Sequence, residues 1–353
     1  MTDIEGVIVG GVDAHTDTHV AAALDRRGQL LGTESFATTP SGYGALRRWL
    51  EQFGPVALVG VESTGAYAAG LVRELRAAGI RVVEVNRPHA YTRRRRGKND
   101  PIDAEMAARH ALSGVAHVEP KVTDGIVEAI RQLRLARDSA VKARSAALCQ
   151  LSEMTVTAPE DLREQLRTRK TTKGRATLCR RLRPDTSRLH EPEQAAKLAL
   201  RSIGRRIAEL DEEIAELDDA LAPLVATAAP RTTSLLAVST GHAGQMLVTA
   251  GQNIERLRSD GAFAALCGAS PIPASSGRTN RHRLNYGGDR DANRALHMIA
   301  VCRLRYCTRT RAYAERRTAE GKTKKDIIRC LKRYIAREIY RSLHADLADL
   351  THP

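Results

Sequence analysis

The spacing of apolar residues changes period along the chain, and the changes mark its parts. Residues 6–39 carry three short apolar runs, "GVIVGGVDA", "HVAAALDRRG" and "QLLGTESFATT", each bounded by turn-forming residues. They predict three strands close enough in sequence to pair as a meander. "SGYGALRRWLEQFG" then repeats at helical spacing, "PVALVGVES" is a continuous apolar run of a buried strand, "GAYAAGLVRELRAAG" is a second helix and "IRVVEVN" a further strand. Three strands followed by alternating helix and strand predict a mixed sheet covered by helices.

The middle of the chain is helical. Ile126, Ile130 and Leu133 begin one amphipathic stretch. Leu200, Ile203, Ile207, Leu210, Ile214, Leu217, Leu221 and Leu224 then alternate spacings of three and four without a miss, the seam of a coiled coil or of a long helical hairpin. The spacing leaves open whether the partner helix belongs to the same chain. Between these stretches "RTRKTTKGRATLCRRLRP" is basic and Thr-rich, and reads as a mobile loop touching nucleic acid or as a solvated connection. Further on, "SLLAVSTGHAGQMLVTAG" sets a glycine-containing turn between two apolar helical runs, either a plain helical hairpin or a helix-hairpin-helix element whose amides grip phosphates. A long loop and a basic terminal helix, "KTKKDIIRCLKRYIARE", close the chain.

Charge adds a partner to this outline. The 353 residues carry a net charge of +15, and residues 232–353 hold 21 Lys+Arg against 10 Asp+Glu, so most of the excess lies in the C-terminal third. That third is the expected polyanion-binding face. Only 3% of residues are aromatic, which argues against base stacking and for phosphate contacts. The six cysteines form no C-x-x-C pair, which excludes a zinc ribbon and a thioredoxin motif. The first residues lack a basic n-region and their apolar run is too short for a signal peptide or a membrane span, so a soluble intracellular protein is expected.

Carboxylates supply the candidate chemistry. Asp13 and Glu62 each stand near the end of a strongly apolar strand, where a buried run does not call for an acid. In an RNase H-like sheet, which the element order matches, the first and fourth strands are neighbours and the two acids meet at one edge of the core. A doubly wound nucleotide-binding domain is the structural competitor, but no G-x-G-x-x-G follows a strand. In "RRRRGKNDPIDAEMAARHA", residues 93–111, Asp100 is placed to cap a helix, Pro101 to open it and Asp103 to stand at its third position; capping alone explains both acids, and the alternative is that in an RNase H-like sheet this helix start brings Asp103 to the same point. Such a cluster repels itself unless a divalent cation compensates, and Mg²⁺ suits an all-oxygen set. Arg93, Arg94, Arg95, Arg96 and Lys98 just upstream read as phosphate clamps or as a solvated basic loop. In "SSGRTNRHR", Gly277 permits close backbone approach, and Arg278, Arg281, His282 and Arg283 are positioned to neutralise a phosphate; a plain Ser/Gly turn in a basic loop is the bland alternative.

"GVDAHTDTH", "GVESTGAY" and "KNDPIDAEMAA", followed much later by "FAALCGASPIPASSGRTNRHRLNYGGDRDANRALH", together resemble the DEDD transposases of the insertion sequence 110 family, the bridge-RNA-guided recombinases. The resemblance covers nearly the whole chain. It implies a RuvC-like, that is RNase H-like, α/β domain over residues 1–120, an α-helical coiled-coil insertion over 121–230 and a mainly α-helical C-terminal transposase domain with a serine loop over 231–353. Carried over by motif, Asp13, Glu62, Asp100 and Asp103 are the tetrad that holds Mg²⁺ or Mn²⁺, and Ser276 is the nucleophile, with Ser275 as its alternative. The implied partners are donor and target double-stranded DNA, a non-coding guide RNA and further copies of the chain in a dimer or tetramer, in the nucleoid of a bacterial cytoplasm. The "STG" turn departs from the commoner glycine-containing form of the family's hairpin. Three other readings remain: Tyr286 as the nucleophile, a metal-dependent nuclease of the Holliday-junction-resolvase kind in which water attacks, and a non-catalytic nucleic-acid scaffold.

Overall fold

The computed structural model of the protein describes residues 6–62, 64–65, 67–85, 99–116, 118–278 and 282–351. The chain divides into two compact units, one of Met1–Asp124 with Ala250–Arg258 and one of Gly125–Thr249 with Ser259–Pro353.

The first unit is built on five strands, β1 (Ile8–Ala14), β2 (Thr18–Leu24), β3 (Leu30–Ala37), β4 (Val56–Val61) and β5 (Arg81–Glu84), in the order β3-β2-β1-β4-β5. β1, β2 and β3 pair antiparallel, while β4 and β5 run parallel to β1. Parallel pairing needs crossovers, and two helices supply them: α1 (Pro40–Glu51) before β4 and α2 (Ala69–Ala77) before β5. α1 starts where the Thr39 hydroxyl accepts the Gly42 N–H and Pro40 takes a first-turn position. Both helices cover one face of the sheet, where Leu46, Leu50, Leu71 and Leu75 pack fully buried against Val12, Ala21, Ala23, Val59 and Val61. Each of these leucines contributes about 1.5–3 kcal/mol by leaving water.

The opposite face belongs to α3 (Asp100–Leu112). Its buried positions beyond Asp103 are all alanine, Ala104, Ala107, Ala108 and Ala111, and the strands beneath present glycines to them. A Cβ on Gly11 would stand 2.1 Å from the Ala108 nitrogen, and one on Gly60 2.6 Å from the Ala107 carbonyl oxygen. Helix and sheet therefore meet backbone to backbone, which sets the depth and direction of α3. The helix begins one residue earlier than the "DPID" motif suggested. Asn99 occupies the N-cap, without a side-chain hydrogen bond, and Asp100 lies inside the first turn. Pro101 fits the second position as well as the first because neither needs its missing N–H.

The second unit is mostly helical. α4 (Gly125–Thr157) and α7 (Pro192–Ala228) lie antiparallel, with Arg137 on Asp218 at 2.8 Å and Arg144 also paired to Asp211. The partner of the seam thus lies in the same chain. Leu200, Ile203, Ile207 and Leu221 are buried, whereas Leu210, Ile214 and Leu217 are only partly covered. α5 (Glu160–Arg167) and α6 (Thr172–Cys179) fill the end of the hairpin. The basic stretch expected as a loop contains α6, whose Ala176 and Cys179 are buried, together with Leu182 just beyond its end, against Leu151, Leu162 and Leu200. Thr171 caps this helix through the Gly174 N–H.

Beyond the hairpin, Pro230–Thr233 forms one helical turn, tied down by the buried Asp346, which accepts from the Arg231 and Thr232 amides and the Thr232 hydroxyl. Residues 234–239 do not form the first of two helical runs; Ala237 takes φ +64 and breaks it, and only α8 (Thr240–Ala250) is helical. The remainder comprises α9 (Asp260–Leu266), a two-stranded ribbon of β6 (Ile272–Pro273) and β7 (His282–Arg283), and α10 (Arg290–Tyr306), α11 (Thr308–Ala319) and α12 (Lys324–Thr351). No described helix is long and apolar enough to cross a membrane.

Candidate active site

Alternation along β1 decides which side chains reach α3. Val9, Gly11, Asp13 and His15 follow at every second residue, and Val9 and Gly11 lie under the helix, so Asp13 and His15 emerge on that same side near its N-terminal end. The close glycine–alanine contact brings the first turn of α3 to them. Asp13 is 6% exposed and its Oδ2 lies 3.0 Å from His15 Nε2, which in turn lies 3.5 Å from Asp100 Oδ1. Ligand atoms of Asp13, His15 and Asp100 all fall within 4.8 Å of one another.

Burial pushes the Asp13 carboxyl above the usual carboxylate range. His15 opposes that shift by charge and hydrogen bond, while the nearby Asp103 and Asp100 add to it. A buried carboxylate among other acids, with an imidazole at its side, is costly to keep ionised, and a cation placed among them would remove much of that cost.

Of the four expected acids, the structure gathers Asp13 and Asp100 in this group and sets Asp103, 4% exposed, near enough to perturb Asp13. Glu62 is 6% exposed and follows β4, the neighbour of β1; its N–H donates to the Val12 carbonyl at 3.1 Å. It lies on the α3 side by the alternation of Leu58, Gly60 and Glu62, yet it does not belong to the three-residue group. His15 is the site residue that sequence reasoning passed over. Its signal was present: in "DAH" the histidine stands two residues beyond the acid, hence on the same face of a strand.

The serine loop belongs to the second unit. Ser275, Ser276, Gly277 and Arg278 are exposed between β6 and β7, and Gly277 has φ +55, a backbone state that glycine enters freely. β7 pairs His282 with Pro273 and Arg283 with Ile272. Tyr286, the rival nucleophile, is 72% exposed. The end of the loop is anchored: the Asn285 amide donates to the Ala265 carbonyl, and the Asp289 N–H to that of Leu266. Asp289 then caps α10 and accepts from the Thr249 hydroxyl at 2.7 Å. Arg93, Arg94, Arg95, Arg96, Lys98 and Arg281 lie outside the described residues.

A mixed sheet with acids at a strand end beneath a helix, and a separate basic helical unit, is a class of architecture suited to phosphodiester chemistry on nucleic acid. Two family models match the chain: a transposase model of the DEDD type of IS110 over residues 10–157, and "Transposase IS116/IS110/IS902 family" over residues 231–315. The chain belongs to the IS110 family of DEDD transposases. No curated protein matches it.

Proposed function

We propose that this transposase is a site-specific recombinase that cuts and rejoins DNA through a phosphoserine intermediate. The observation that carries the reading is the convergence of Asp13 and Asp100 on His15, with Asp103 beside them, in a chain that also carries an exposed Ser275-Ser276-Gly277 loop. Ser276 Oγ attacks the scissile phosphorus, an O–P bond to the serine forms, and the bond to one deoxyribose oxygen breaks, that oxygen leaving with a proton. Attack by another DNA hydroxyl on the phosphoserine reverses the process on a new partner. Each step exchanges one phosphoester for another, so rejoining requires no nucleotide triphosphate.

Asp13, Glu62, Asp100 and Asp103 are the residues proposed to hold Mg²⁺ or Mn²⁺, and their oxygen donors suit either ion, with the His15 nitrogen leaning towards Mn²⁺. When bound, such an ion supplies Lewis-acid stabilisation of phosphoryl oxygens. Arg278, Arg281 and Arg283 are assigned to the scissile phosphate, and Arg93, Arg94, Arg95, Arg96 and Lys98 to the flanking backbone. The strand order supports an RNase H-like, RuvC-like first domain; the reading places it over 1–120, with a coiled-coil region over 121–230 and the serine domain over 231–353. A guide RNA, a dimer or tetramer, and a bacterial nucleoid setting complete the reading, resting on family membership.

The test is covalent. Wild-type protein incubated with its element's DNA ends, the copurifying RNA and Mg²⁺, then denatured, should retain DNA on the protein. Ser276→Ala should lose the adduct and all strand exchange while still binding DNA, with Ser275→Ala much milder. Asp13→Asn should lose exchange as well. Cleavage without any adduct would mean that water attacks, the nuclease reading; an adduct surviving in the Ser275/Ser276 double variant would move the nucleophile to Tyr286.

A further inference from the structure

The serine loop runs into α10, and the first turns of that helix line a cleft of about 330 Å³ with α12. Its lining is Arg290, Asn293, Arg294 and His297 from α10 and Lys332 from α12, with no apolar side chain among them. We propose that this cleft seats a phosphate of a nucleic-acid backbone, a contact separate from the scissile phosphate and resting on the reading of the protein as a nucleic-acid enzyme.

The arrangement is built from behind. Arg290, Arg294 and His297 follow at spacings of four and three, so they share one side of α10. Lys332 Nζ donates to Asn293 Oδ1 at 2.8 Å, and Asn293 Nδ2 donates to the Cys267 carbonyl at 2.9 Å. That chain fixes the ammonium on the turn that ends α9, and an ammonium has three protons to give, of which this bond uses one. Gly268 leaves room for that amide, since a Cβ there would stand 3.2 Å from the Asn293 nitrogen.

The charge is out of balance. Of the cations lining the cleft, Arg294 is paired with Asp291, and Arg329 nearby with Asp326 at 2.8 Å, but among the described residues no carboxylate lines the cleft itself. Burial pushes the Lys332 ammonium below its ordinary range, and Arg329 and Arg290 push it further. An anion with several acceptor oxygens relieves this crowding and satisfies the planar Arg and compact Lys donors together. A backbone phosphate fits better than a small metabolite, because Arg290, Arg294 and His297 are exposed along the outer side of α10 and leave the cleft open in the direction of a passing strand. Only residues 284–289 separate β7 from α10, so the ribbon that carries the serine loop and the helix that lines the cleft follow one another along the chain.

Phosphodiesters come from DNA or RNA, and the test separates them. Arg290→Gln with Lys332→Gln is compared with Arg26→Gln with Arg27→Gln, which removes equal charge from the exposed turn between β2 and β3. Binding to a duplex DNA and to an RNA hairpin is titrated across a salt series. The cleft variant should bind several-fold more weakly, and its slope of log K against log salt should fall by about one phosphate's worth. The control should keep the parental slope. A loss confined to duplex assigns the cleft to DNA, one confined to the hairpin assigns it to RNA, and loss on both assigns it to their common backbone. Arg290→Gln alone, at an exposed position, should show the same change in part, which guards against a folding defect from Lys332. Parental slopes on both nucleic acids in every variant overturn the proposal. A changed slope in a protein that forms no serine adduct would leave the cleft standing and remove the recombinase reading instead.

Discussion

Asp13 and His15 face α3, whereas Ala14 between them faces the other side of the sheet, where it is paired across the strands with His19. Two histidines four residues apart thus meet opposite environments. His15 has a side chain 42% exposed beside two carboxylates, while His19 is fully buried and stacks on Tyr43 with ring centroids 5.6 Å apart. Burial pushes the His19 imidazole below its ordinary pKa of 6.5, and the charge of His15 acts in the same direction. The folded state therefore keeps His19 neutral over a range in which the unfolded chain takes up a proton. Stability from this group is complete above pH 6.5 and declines as pH falls below it towards the depressed folded value. His19→Phe, which keeps a flat ring against Tyr43, should lose less melting temperature than wild type between pH 7 and pH 5. Equal losses in parallel melts would show that His19 is not a source of the acid sensitivity.

At the scale of elements, the seam of α7 divides into positions that carry the packing and positions that do not. Ile207 is 3% exposed and belongs to the core at the α5–α6 end of the hairpin, while Ile214 sits mid-helix and is only partly covered by α4. Ile207→Ala should cost about 2–4 kcal/mol by transfer and cavity terms, and Ile214→Ala about 1 kcal/mol or less in the isolated chain. Chemical denaturation of the two variants reads the difference directly. If Ile214→Ala proves as costly as Ile207→Ala, or its cost depends on protein concentration, a second copy covers the middle of the hairpin. β1, β2, β4, β5, α1 and α2 were legible in the sequence because their apolar positions are fully buried, as at Val12, Val59, Leu46 and Leu75, whereas β3, mostly exposed apart from Phe36, was legible from its apolar run and flanking turns. The seam was legible too, but not its partner: α4 offers many small or charged residues, among them Ala140, Arg144 and Ala147, and binds α7 through ion pairs as much as through leucines. α6 was hidden because only Ala176 and Cys179 mark its buried side inside a dense run of cations. The site was half legible for a related reason. Acids in apolar strands stand out, whereas a histidine in a polar strand end does not, and the depth of α3 depends on Gly11 and Gly60, whose role is visible only once the helix lies over them.

For the whole molecule, the path of the chain matters more than the number of parts. It leaves the first unit after Asp124, returns for Ala250–Arg258, and leaves again, so nine residues from within the second transposase match complete the unit that carries the carboxylates. Asn253 is the fastening of that return. Its Oδ1 accepts the Val122 N–H at 3.0 Å and its Nδ2 donates to the Pro120 carbonyl at 3.0 Å, while Ile254 and Leu257 are buried beside it. Asn253→Ala removes both hydrogen bonds and leaves two backbone groups to find water, a cost of about 1–2 kcal/mol. Because the bonds close within the first unit, that cost should appear in one unit. The slowest amides of β1 and β4 should exchange with solvent roughly 5–30-fold faster in Asn253→Ala, as a loss of that size implies. Amides of α10 and α12 should keep their parental protection in the same hydrogen-exchange experiment. Unchanged protection in β1 and β4 would mean that the returning segment is a passenger on the sheet domain; equal acceleration in all four elements would mean that the two units unfold as one.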